Sequence, residues 1–83
     1  MLTGFGRFKS KADSDLNELG AVTLVGTSEQ LLAVADFIQR CAIAMGKEPA
    51  WDHEHLQDTW RQWKQGDLDL IVAKIPKDGK SAD

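Results

Sequence analysis

Leu31, Val34, Ala35, Ile38, Cys41, Ala42 and Met45 recur at intervals of three and four, the spacing that places side chains along one face of an α-helix. Thr27 and Gln30 stand at capping-box positions, where a hydroxyl takes the third amide and the amide side chain reaches back. Glu29 adds a negative charge to the first turn, which the helix dipole favours. Gly46 is expected just past the helix end, with Lys47 near its negative pole and Pro49 shortly beyond. Leu32 and Phe37 fall on the flanks of the stripe and would broaden the buried face.

Two strands frame this helix. Ala21 to Val25 is rich in β-branched residues, is closed by Gly26, and can begin earlier around Leu16 to Leu19 with Gly20 as a bulge. Leu68 to Ile75 alternates Leu68, Leu70 and Val72 against Asp69, Ile71 and Ala73, and Pro76 stops it. A third, weaker strand runs from Leu2 to Lys9, and Lys11 to Asn17 has the composition of a turn. Trp51 to Trp63 suits a short helix capped by Asp52 or Asp58, with Trp60 and Trp63 sharing a face. The expectation is therefore α+β: a small two-layer domain, with about three mostly antiparallel strands covered on one face by one long helix, plus a short helix. The domain spans 1–76, and 77–83 forms a flexible tail.

Composition narrows the function. The 83 residues suit one small domain with a thin core, and no run approaches the roughly 20 apolar residues of a membrane span. Met1 to Ser10 lacks the apolar block of a signal peptide, so a cytoplasmic protein is expected. A net charge of −3 argues against a sequence-independent grip on nucleic acid. Cys41, the single cysteine, excludes an internal disulfide and sits on the helix stripe as an inert thiol. Phosphate-loop, nucleophile-elbow and Cys-x-x-Cys motifs are absent, so no enzyme and no cofactor are expected.

The chemistry-bearing residues crowd into one segment. Asp52, His53, Glu54 and His55, with Asp58 beyond, hold both histidines of the chain. In an extended backbone His53 and His55 project to the same side and form a reasonable chelate for a divalent ion, whereas on a helix the rings diverge. His53, His55 and Asp58 are thus weak metal candidates, and a metal-binding or small catalytic domain built on Asp52-His53-Glu54-His55 is one alternative to a binding role. The bland alternative is that these side chains hydrogen-bond locally and orient the tryptophans. Trp51, Trp60 and Trp63 either complete the core or supply interface anchors. Apolar side chains on both faces of the strands leave homodimerisation open.

Val25-Gly26-Thr27, the helix from Ser28 to Ile38, the run from Trp51 to Asp58 and the closing Asp67 to Val72 resemble the immunity proteins of bacterial polymorphic toxin systems, in the group numbered thirty-two. The resemblance covers roughly Leu19 to Ala73, and Asp52 to Asp58 is its most specific part. It implies a compact α+β domain that neutralises a cognate toxin by binding it, and it supplies no catalytic residues. His53, Glu54, His55, Asp58, Trp60 and Trp63 are the residues expected at that contact. An acidic patch suits a basic protein partner, a homodimer remains an alternative, and neither membrane nor nucleic acid is expected as a partner.

Overall fold

The long helix forms where its capping signals stand. In the computed structural model, which describes residues 1–8 and 18–75, helix α1 spans Ser28–Lys47. The Gln30 amide donates to Thr27 Oγ1 at 3.1 Å, and Gln30 Oε1 accepts from the Thr27 amide at 2.8 Å. The capping box is therefore closed in both directions. The C-terminus departs from expectation. Gly46 lies inside the helix, and Glu48 ends it in an extended conformation with its amide returning to Ala44 O at 2.9 Å. The following proline disfavours helical geometry at Glu48, so the chain turns out there without a left-handed glycine.

Strands β1 (Thr3–Phe8) and β2 (Leu19–Val25) form an antiparallel ribbon. Its register runs from Thr3 opposite Val25 to Arg7 opposite Ala21, then steps so that Phe8 meets Leu19. Gly20 is thus the extra residue, at the position expected for a bulge. Beyond α1, β3 (His53–His55) leads directly into the single-turn helix α2 (Leu56–Thr59), and β4 (Ile71–Ala73) returns antiparallel to β3.

The α+β class with one long and one short helix is as expected, but the single three-stranded sheet is not. There are two separate two-stranded ribbons, β1–β2 and β3–β4. The strand expected over Leu68 to Ile75 shortens to three residues because its first half spends its backbone groups elsewhere. The Leu68 amide donates to Leu2 O at 2.9 Å, and Leu70 O accepts from the Leu56 amide at 2.8 Å. The first of these bonds ties the two ribbons together. Leu68 also presses on Gly4, where an added Cβ would sit 2.9 Å from Leu68 Cδ2 and the leucine side chain would have to shift. The turn into this segment uses Gly66 at a φ of 104°, the one positive φ among the described residues.

Five side chains form the core: Leu2, Val34, Phe37, Cys41 and Leu56. Leu24, Trp51, Trp60, Trp63, Leu68, Leu70 and Val72 pack around it while retaining some exposure. The helix stripe is split by this arrangement. Val34 and Cys41 are buried and Phe37 lies at the centre, whereas Leu31, Ala35, Ile38 and Ala42 face out and Leu32 is 68% exposed. Two narrow ribbons cover less of α1 than one sheet would. The turn expected over Lys11 to Asn17 and the tail over 77–83 lie outside the described residues. Among those described, no helix is long and apolar enough to cross a membrane.

Candidate functional site

Two anchors fix the segment that carries the histidines. The Trp51 amide donates to Glu48 O at 3.0 Å just after the end of α1, and the Lys74 amide donates to Asp52 O at 3.0 Å. Between them the chain is extended rather than helical, and β3 pairs His53 with Ala73, Glu54 with Val72 and His55 with Ile71. Strand alternation then sends the two imidazoles to one face and Glu54 to the other. Neither Asp52 nor Asp58 caps the short helix. His55 is the N-cap residue, though its side chain does not bond the first turn, and α2 ends before Trp60.

On the histidine face the two rings meet edge to face, with centroids 5.4 Å apart and planes at 69°. His53 Nδ1 lies 2.7 Å from Asp52 Oδ2, and His55 Nδ1 lies 2.7 Å from Asp69 Oδ2. Each carboxylate accepts, so each Nδ1 carries the proton and donates. Asp69 is itself fixed, because its Oδ1 accepts the Gln57 amide at 2.9 Å. This hydrogen bond to Asp69 raises the His55 pKa above its ordinary value; burial opposes the rise, and the charges of Asp69, Asp58 and Glu54 add to it. Among the described residues neither Nε2 has a protein partner, and no group of three or more His, Cys, Asp or Glu side chains converges as a metal site.

Glu54, on the opposite face of β3, lines a groove of about 510 Å³ between α1 and the segment 51–62. Phe37, Cys41, Leu56 and the half-buried indoles of Trp51 and Trp60 supply its apolar lining, and Asp36, Arg40 and Arg61 border it. Arg40 is held by Asp36 at 2.9 Å, an exposed pair one helical turn apart. Burial pushes the Cys41 thiol up, and the Glu54 carboxylate adds to that rise. The thiol therefore stays protonated and inert, as its place on the stripe suggested.

The residues singled out from sequence thus separate into three groups. His53 and His55 share a face, with Asp58 exposed on α2 and close enough to influence His55. Glu54 and Trp60 belong to the groove. Trp63 belongs to the scaffold: its Nε1 donates to Leu68 O at 3.0 Å, and its indole packs on the core. Asp69 was not singled out, although it holds His55. Its only sequence signal was a polar place in the alternation of the last strand, fourteen positions away from its partner. The lining contributed by α1 was equally hidden, since Asp36 and Arg40 read as ordinary solvated helix positions. Comparison with protein-family models, curated proteins and solved structures finds no match to the chain.

Proposed function

We propose that this chain is a protein-binding domain of the immunity type, which neutralises a basic toxin by covering it with the groove beside β3. The observation that carries the reading is the groove itself. It presents two indoles beside Phe37 and carries charged side chains at its border, the composition of an interface centre with a polar rim. Charge favours a basic occupant. The groove's own lining is balanced, Asp36 and Glu54 against Arg40 and Arg61, so the preference comes from the −3 of the whole chain and from Asp52 and Asp58 exposed nearby. Such a field would speed capture of a cationic surface. Asp36, Arg40 and Arg61 would form the polar rim, while Trp63 supports the surface from within and His53 and His55 stay on the opposite face of β3.

Co-expression with the basic toxin that this reading requires, sought among the products of neighbouring genes, tests this. The wild-type chain is expected to restore growth, and Trp60→Ala combined with Glu54→Lys to abolish protection while the purified variant keeps its fold by circular dichroism. Protection by the folded variant equal to that of the wild type would assign binding to another surface. Growth arrest unaffected by the wild-type chain would remove the immunity reading.

A second reading, a homodimeric module, is favoured by one observation. Leu31, Leu32, Ile38 and Ile43 on α1 and Phe5, Val22 and Val25 on the β1–β2 ribbon are all more than a third exposed. Exposed apolar side chains on both elements are what an interface between copies of the chain would use. Light scattering decides it: a dimer mass that Ile38→Glu converts to monomer supports this reading, and a monomer at high concentration removes it.

A further inference from the structure

The face of β3 that carries both histidines lies away from the groove, and what it offers is independent of the protein-binding reading. We propose that His53 and His55 bind one divalent late transition-metal ion, zinc, nickel or copper, through their two Nε2 atoms. Three observations lead there. First, β3 is extended, so the rings stand on one face, two positions apart, with the His53 and His55 side chains 48% and 33% exposed and open to an incoming ion. Second, the separation fits. Metal–nitrogen bonds of about 2.0–2.1 Å at tetrahedral angles hold two imidazole centroids about 5 Å apart; these lie 5.4 Å apart in an edge-to-face contact, so a turn of the more exposed His53 ring, with no backbone movement, brings both Nε2 atoms to one ion.

Third, both rings already have the outer partners that metal-bound histidines use. Each Nδ1–H donates to a carboxylate at 2.7 Å, Asp52 for His53 and Asp69 for His55. That bond fixes the tautomer with a lone pair on Nε2, orients the ring and raises its basicity as a ligand. Asp69 is held in turn by the Gln57 amide, so the His55 half of the site is organised in advance. Imidazole suits the late first-row ions, and with no third protein ligand on this face among the described residues the remaining positions go to water. Hard oxygen-seeking ions such as magnesium and calcium have no suitable donor set here.

Calorimetric titration of the full chain with zinc chloride and nickel chloride at pH 8 tests the site, with magnesium chloride as the control. One equivalent of zinc or nickel is expected to bind, and magnesium to give no heat. His53→Ala should lower affinity at least tenfold, and Asp52→Asn, which removes only an outer partner, by about tenfold. Because the His53–Asp52 contact joins adjacent residues at the surface, neither variant should lower the melting temperature of the apo protein, which circular dichroism checks. Equal affinity of wild type and folded His53→Ala would overturn the proposal, as would absence of zinc and nickel binding at millimolar metal.

Discussion

His55 and Asp69 join β3 to the segment that precedes β4, and the pair makes folding sensitive to pH. The His55 pKa is raised above 6.5 in the folded chain, chiefly by its hydrogen bond to Asp69. The folded state therefore binds the proton more tightly than the unfolded state does. The stabilisation is complete below about pH 6.5 and is lost as pH rises through the elevated value of the folded protein. The melting temperature of the wild type should fall across that window, and His55→Gln should flatten this part of the curve. An identical slope in the variant would place the dependence on another group. The sequence contained both residues but not their pairing, because a contact across fourteen positions depends on how the last segment folds back. His53 and Asp52, by contrast, are neighbours, and their local hydrogen bond was an expected alternative. The indoles divide in the same way: density of tryptophan was plain in the sequence, while the choice of Trp60 for the groove and Trp63 for the scaffold followed from where Leu68 O lies.

At the scale of elements, local signals were reliable where the chain could satisfy them locally. The Thr27–Gln30 box began α1 where expected, and Gly20 took the irregular position in β2. Thr27→Ala removes the hydroxyl acceptor from the Gln30 amide and should cost about 1 kcal/mol, measured as a lower urea midpoint with an unchanged slope. Gly at the same position should be milder, since it also tolerates the cap conformation. What the pattern did not disclose was competition for backbone groups. Leu68 to Leu70 have strand composition, yet their amides and carbonyls serve Leu2 and Leu56, and the expected third strand of one sheet became half of a second ribbon. The same rearrangement explains the helix. Its apolar arc was evident, but the burial of Phe37 in place of Leu31 and Ile38 was set by which side Leu2 and Leu56 approach.

The molecule as a whole rests on a core of five side chains, of which Leu2 and Leu56 are completely buried. Leu56 starts α2 at the junction with β3, below the groove, so its packing supports both the histidine strand and the Trp60 wall. Leu56→Ala should cost about 2–5 kcal/mol, a large part of the stability of a domain this small. Chemical denaturation should show the variant partly unfolded in buffer, and an unchanged midpoint would mean that the ribbons stand without it. Function is asked of the surface this core holds up. The measurement that bears most directly on that claim is calorimetric titration of the purified chain with an inactivated form of the basic toxin that the proposed immunity role requires. A one-to-one complex, weakened at least tenfold by Trp60→Ala with the fold retained, is the predicted result; absence of binding, or unchanged affinity in that folded variant, would contradict the assignment of the groove as the toxin-binding surface.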